Sequence, residues 1–318
     1  MMVNEVKVMA NATERTDSMV NKKVRLISVP FWMGGSRAGT ELGPESIIQS
    51  GLARQIRSMG FDLVGNCEVN CPRHGTLDPK QPKTKYFAEV KEMSGLVGEQ
   101  VYRAVLANSF PLILGGDHSV AIGSLAGLTG HYDNLGVIWF DAHGDLNTEE
   151  TTPSGNMHGM PLAIAMGLSK FKLSDIPGAG PLIKKENVVI VGARDLDPYE
   201  KEFIRNEGIA CFTMHDIDRL GMKAVMEQAI AIVSKNTDGV HVSFDMDCLD
   251  PTEAAGVSTP VPGGISYREA HLALELLAET GKVTSMDIVE VNPLLDVGMR
   301  TSRLAVEMAT SLLGKRII

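Results

Sequence analysis

"LGVIWFDAHGD" (Leu135–Asp145) is an apolar run that ends abruptly in Asp141, His143 and Asp145. Branched and aromatic residues without polar alternation predict a strand buried on both faces, as in a parallel sheet. Similar runs recur in "VRLISVP" (24–30), "FPLILGG" (110–116), "NVVIVGARD" (187–195), "GIACFTM" (208–214), "GVHVSFDMD" (239–247) and "KVTSMDIVEVNP" (282–293). Amphipathic segments such as "GPESIIQSGLARQIRSMG" (43–60) and "HSVAIGSLAGLTG" (118–130) separate most of them, a spacing that fits right-handed βαβ crossovers. Gly43-Pro44 has the form of a helix start, with proline in the first turn. No repeat, low-complexity linker or composition break divides the chain. The expectation is a single α/β domain over residues 23–318, preceded by an extension over residues 1–22 that is expected to be disordered.

Composition excludes several classes. Hydrophobic residues make up 44% and charged residues 22% of the 318 positions, which places the chain among globular proteins. Thirty Lys+Arg against 39 Asp+Glu leave a net charge of -9, which argues against a nucleic-acid surface, and no basic run is interleaved with aromatics. No apolar stretch reaches the ~18 residues of a membrane span. Cys67 and Cys71 are spaced C-x3-C without the second pair of a structural zinc site, and Cys211 and Cys248 stand alone, so reduced thiols and a cytoplasmic location are expected. The first 22 residues lack the apolar core of a signal peptide, and the Asn11 sequon is read as unglycosylated for that reason.

In open α/β sheets functional groups gather beyond the carboxyl ends of strands, and there the unusual polar residues fall. "LILGGDHS" closes on Asp117 and His118, "VIWFDAHGD" on Asp141, His143 and Asp145, "HVSFDMDCLDP" on Asp245, Asp247 and Asp250, and "MDIVEVNP" on Glu290. Side chains at i and i+2 of an extended segment point the same way, so each set is expected to converge. Singly, each has a plain explanation: a strand-end Asp caps a turn, and His118 begins a helix. Together, so many carboxylates at one edge would repel one another and could not all stay ionised without cations. Two divalent ions bring +4 against the −4 of Asp141, Asp145, Asp245 and Asp247. The oxygen-rich set with two imidazoles suits manganese best, with cobalt, iron or zinc as weaker substitutes. Cys248 alternates away from Asp247 and is expected to pack in the core. Two ions sharing a water lower its pKa toward neutrality, which points to hydrolysis of a poor electrophile.

"GGDHS" (115–119), "DAHGD" (141–145), "SFDMDCLDP" (243–251) and "STPVPGG" (258–264) together resemble the ureohydrolases, the binuclear manganese enzymes that include arginase and agmatinase. The similarity runs from about Val24 to the end of the chain. It implies a three-layer α/β/α fold around a mainly parallel eight-stranded sheet. Within the family the chain is similar to the bacterial-type arginases, because Asn147 follows "DAHGD" and a loop of the form SGN-x-HG spans Ser154 to Gly159. The resemblance implies two Mn2+ per chain, with Co2+ as a possible substitute, held by His118, Asp141, His143, Asp145, Asp245 and Asp247. It implies conversion of L-arginine and water to L-ornithine and urea through a metal-bridging hydroxide that adds to the guanidinium carbon. Asp145 would hold that hydroxide, His158 would shuttle the proton to the departing amine, and Glu290 would pair with the guanidinium. Asn147 and Ser154 would bind the α-carboxylate, Asp197 the α-amino group, and Thr259 would line the pocket. Without the family match, "TTPSGN" (151–156) would read as a solvated turn. Asp117 and Asp250 are expected to orient ligands and loops. Cys248, Ser258 and Pro262 depart from the residues common in arginases at those places, which bears on substrate range. The alternatives are an agmatinase-like or other guanidino-compound hydrolase, and a non-catalytic arginine-binding scaffold. Family membership also implies a homo-oligomer, a trimer or hexamer.

Overall fold

The computed structural model describes residues 23–316, so the expectations for residues 1–22 and the Asn11 sequon lie outside the described residues. Eight strands, β1 (Lys23–Ser28), β2 (Asp62–Glu68), β3 (Phe110–Leu114), β4 (Leu135–Phe140), β5 (Val188–Ala193), β6 (Ala210–Thr213), β7 (Gly239–Asp245) and β8 (Val283–Val289), form one sheet. Their order is β2-β1-β3-β8-β7-β4-β5-β6. Every pair is parallel, which sharpens the expected "mainly parallel" sheet.

The unalternating strands are buried as their composition requires. All six residues of β4 and all seven of β7 are buried. Ile138 and Phe140 of β4 belong to one core, packed by helices Leu52–Ser58, Met222–Val233, Tyr267–Thr280 and Arg300–Leu312. Val137 and Trp139 belong to the core on the other face, packed by helices Phe87–Leu106 and Val120–Thr129. These are the three layers expected of a sheet whose strands are apolar on both sides.

Two local features differ from the sequence expectation. Strand β2, "DLVGNCE", lies at the sheet edge with no fully buried residue, and Gly65 and Asn66 break up the apolar run that marked the other seven. Segment 43–60 forms two helices, Gly43–Gln49 and Leu52–Ser58, because Gly51 takes φ +100 and breaks the chain direction. Pro44 does occupy the first turn.

The connectivity places the site. The chain lays β1 to β3 on one side, crosses to build β4 to β6 on the other, and returns to fill the gap with β7 and β8. The carboxyl ends of β3, β8, β7 and β4 therefore meet at the centre, where the winding reverses and a crevice opens. The turn after β3 has no room for a side chain at Gly116. A Cβ there would sit 1.6 Å from the Phe31 carbonyl oxygen. Gly116→Ala is expected to cost at least the upper part of the roughly 1–3 kcal/mol typical of overpacking. A thermal melt of the variant checks this, and an unchanged melting temperature would contradict the close approach.

Candidate metal centre

The acidic residues do converge, though not by strand alternation. Strand β4 ends at Phe140, and Asp141–Asp145 form a turn in which the His143 N–H donates to Asp141 Oδ1 at 2.7 Å and Asp145 adopts φ +52. After β7 the Asp247 N–H donates to Asp245 Oδ1 at 2.7 Å, and Met246–Cys248 make a single helical turn. In both places an Asp side chain captures the backbone two residues on, and this turn chemistry aims the next carboxylate back at the first.

His118 Nδ1 lies 3.0 Å from Asp141 Oδ2, 3.1 Å from Asp145 Oδ2 and 3.1 Å from Asp245 Oδ2. His143 Nδ1 lies 3.2 Å from both Asp141 Oδ1 and Asp247 Oδ2. Asp141 thus offers one oxygen to each cluster, and the two clusters with metal-holding geometry, His118–Asp141–Asp245 and Asp141–His143–Asp247, share it. Thr259 Oγ1 donates to Asp247 Oδ2 at 3.0 Å and the Ala142 N–H to Asp247 Oδ1 at 3.3 Å.

A cation fits this arrangement on structural grounds. The His118 Nδ1 and Asp145 Oδ2 atoms are buried without a hydrogen-bond partner. His118 Nε2 is 2.9 Å from Ser243 Oγ, which donates its only proton to Asp287 Oδ1 at 2.6 Å. Nε2–H must then be the donor to Ser243, which leaves the Nδ1 lone pair of the neutral ring facing three carboxylate oxygens. That contact is repulsive unless positive charge stands between them, as a metal ion or as a proton on Nδ1. The carboxylates strain against one another in the same way. Burial, then Asp247 and Asp141, push Asp245 well above the usual carboxylate range, and burial with Asp141 pushes Asp145 up to about 6. Burial opposes charge on His118 and His143, yet the surrounding carboxylates outweigh it and raise both.

Asp287 Oδ2 also meets His241 Nε2 at 3.1 Å, and His241 Nδ1 meets Ser285 Oγ at 2.9 Å, with all of these groups fully buried. This outer network escaped the sequence analysis. Its signal was present in His241 and Ser243 at alternate positions of β7, and Ser285 and Asp287 at alternate positions of β8, polar intrusions in otherwise apolar strands.

Above the centre opens a cavity of about 230 Å³ lined by His118, His143, Asp145, Asn147, Ser154, His158, Asp197 and Thr259 among others. Glu290 takes φ +66, accepts from the His118 N–H at 2.9 Å and holds His158 Nδ1 at 3.1 Å. Its Oε2 is buried without a partner. Burial opposes the charge on His158, but Glu290 outweighs it and raises the imidazole to about 9. Asn147 Nδ2 donates to Asp197 Oδ2 at 2.7 Å, and Thr151 Oγ1 donates to Asn147 Oδ1 at 3.0 Å. Ser154 is exposed at the rim, on a loop pinned by the Lys85 N–H to the Gly155 carbonyl and by Lys83 Nζ to the Thr152 carbonyl.

Glu200 is a further residue the sequence analysis passed over. Buried and lining the cavity, it accepts from the Leu146 and Asp197 N–H groups, both at 2.9 Å, and so fixes two site loops to each other. The spacing "DPYE" (197–200) was a readable helix-start signature. Asp117 accepts from the Gly34 and Ser119 N–H groups, and Asp250 from Gly263 and Gly264, so both hold loops as expected. Cys248 is buried in the core, and all four cysteines are free. Ser258 is buried and its Oγ accepts from Asn292 Nδ2 at 3.1 Å.

Comparison with known proteins agrees with this architecture. A model of the arginase family matches residues 22–314. An arginase of Brevibacillus brevis is 48% identical over 301 residues, spanning 94% of this chain and 100% of that one. An arginase of Bacillus subtilis is 46% identical over 307 residues, with 94% and 100% covered. The solved structure of the arginase from Bacillus caldovelox superimposes with a TM-score of 0.90 at 45% identity, over 93% of this chain and 99% of that one.

Proposed function

The chain belongs to the arginase family of hydrolases, and from that premise we propose that it converts L-arginine and water to L-ornithine and urea with the help of two manganese ions. The observation that carries the proposal is Asp141, whose two oxygens face two separate imidazoles within one buried ring of carboxylates. His118, Asp141, Asp145 and Asp245 would hold one ion, and Asp141, His143 and Asp247 the other. Six residues offering oxygen and nitrogen donors, without a thiolate, favour manganese, with cobalt as a substitute. When bound, the pair supplies a nucleophile from water at neutral pH.

The side chains account for the rest of the reaction. Asp145 Oδ2, buried and without a hydrogen-bond partner, accepts a hydrogen bond from the attacking water and fixes its direction. The free Oε2 of Glu290 pairs with the substrate guanidinium and holds its carbon beside that oxygen. As the C–O bond forms and the C–N bond to the side-chain nitrogen breaks, the leaving amine needs a proton. His158 lines the cavity with Nδ1 held by Glu290, which leaves Nε2 to deliver it, and its raised pKa keeps the ring charged at neutral pH. Asn147 and Ser154 face the α-carboxylate, Asp197 the α-amino group, and Thr259 steadies Asp247 while lining the pocket.

Urea release from L-arginine after loading with manganese tests the proposal, and two bound ions per chain test its metal count. His158→Ala is expected to slow turnover by about 100-fold, the scale of one positioned proton donor, while both ions stay bound. Loss of metal from that variant would remove His158 from the proton-transfer role.

A further inference from the structure

Arg194 sits at the end of β5, and its donors all go to main-chain oxygens. Nε and Nη2 donate to the Val261 carbonyl at 3.1 and 2.7 Å, Nη2 also to Asp247 and Leu249 at 2.7 and 3.2 Å, and Nη1 to Gly192 and Cys248 at 3.2 and 3.1 Å. The backbone of the same residue reaches the other half of the centre. The Arg194 and Asp195 N–H groups donate to the Ala142 carbonyl at 2.9 and 3.0 Å, between Asp141 and His143, and the Ala142 N–H donates to Asp247 Oδ1. Val261 in turn is two residues from Thr259, the hydroxyl on Asp247 Oδ2.

We infer that Arg194 is a positioning residue that assembles the His143–Asp247 half of the metal pair: its guanidinium fork fixes the loop of Asp247 to the loop of Thr259, while its backbone N–H, which a substitution keeps, holds the turn of Asp141 to His143. The inference rests on the two-ion proposal above. The other half is held by different means: His118 by Ser243 and Asp287, and Asp245 by its place in β7 beside Val289 of β8. The two halves therefore depend on different supports. A lysine cannot replace the fork, because its single ammonium presents three donors from one point and cannot span carbonyls of three segments.

The test is manganese titration of the full chain, with the bound ions counted and their magnetic coupling read by electron paramagnetic resonance. The unmutated chain should bind two ions and give the spectrum of a coupled pair. Arg194→Lys should keep one ion at unmutated affinity, bind the second at least about tenfold more weakly, as loss of an outer partner does, and give the spectrum of an isolated ion. Gly264→Ala is the second variant: its Cβ would lie 2.6 Å from Arg194 Nη2 and as close to the Leu249 and Asp250 backbone, so it displaces the fork together with the segment after Asp247 while keeping the cation. It should weaken the same ion. Two ions of unchanged affinity in both variants would overturn the inference, and so would equal weakening of both ions. Failure of both variants to fold would assign Arg194 to the fold alone. An unmutated chain that binds fewer than two ions would instead overturn the two-ion proposal itself.

Discussion

Asp141→Asn is expected to abolish urea release from L-arginine, with a loss well beyond the roughly 10–100-fold that removal of an outer partner causes, and to strip manganese from both halves of the centre. Asp141 is the residue common to both clusters, so an amide there takes away the negative charge that both share and leaves one oxygen where the two sites each need one. Asparagine is a better test than alanine. Asp141 Oδ2 also accepts from Trp139 Nε1 at 2.9 Å and Oδ1 from the His143 N–H at 2.7 Å; the asparagine oxygen still serves one of these donors, whereas alanine would leave both bare, at about 1–3 kcal/mol each. The metal-free variant should melt below the metal-free parent, because burial opposes the Asp141 charge but His118 and His143 outweigh it and hold the carboxyl below its usual range, a stabilisation that the amide gives up. Adding manganese should then separate them further. An ion at a hundred times its Kd stabilises the fold by about 2.7 kcal/mol, so the parent's melting temperature rises and the variant's does not. A variant that still binds two ions would show that Asp141 does not join the sites.

The central strands could be read from the sequence because they are buried on both faces, and edge strand β6, though every residue of it is partly exposed, because its residues before the closing Thr213 are apolar without interruption. Central β4 announces itself because no polar side chain along it faces either core, and β7 does so despite the buried His241 and Ser243. Edge strand β2 pairs only with β1, and Gly65 and Asn66 interrupt its apolar residues, so its composition carries no such mark. The candidate ligands were legible for the opposite reason, as polar residues set directly against apolar runs. How they meet was not. Alternation along a strand suggested the right convergence by the wrong route, since the chain leaves the extended conformation after Phe140 and Asp145 lies in the left-handed region. Groups that act through backbone oxygens leave even less trace. Arg194 binds carbonyls, which every residue possesses, so nothing in the partners' side chains betrays it. His158 and Glu290 are 132 positions apart, and only the meeting of β8 with the loop after β4 brings them together.

Agmatine, which lacks the α-carboxylate, is expected to be hydrolysed with a kcat/KM at least about a hundredfold below that for L-arginine, yet short of the 10⁴–10⁵ discrimination of sites whose buried polar groups are left bare by the wrong substrate. The moderation follows from the rim. Ser154 is exposed, so water can replace the carboxylate there, and Asn147 already has partners in Asp197 and Thr151. The discrimination comes chiefly from Asn147. The carboxylate of arginine accepts from the Asn147 amide, whereas agmatine keeps only the ammonium, which can still pair with Asp197, and leaves the carboxylate position to solvent. Asn147→Ala should therefore lower kcat/KM for arginine by a larger factor than for agmatine, narrowing the ratio between the two substrates while the metal centre, anchored on different residues, stays loaded. Ser154→Ala should narrow it less, in keeping with its exposure. Equal turnover of the two substrates by the unmutated chain would keep the metal chemistry, remove Asn147 and Ser154 from substrate recognition, and leave a guanidino hydrolase that does not read the carboxylate at all.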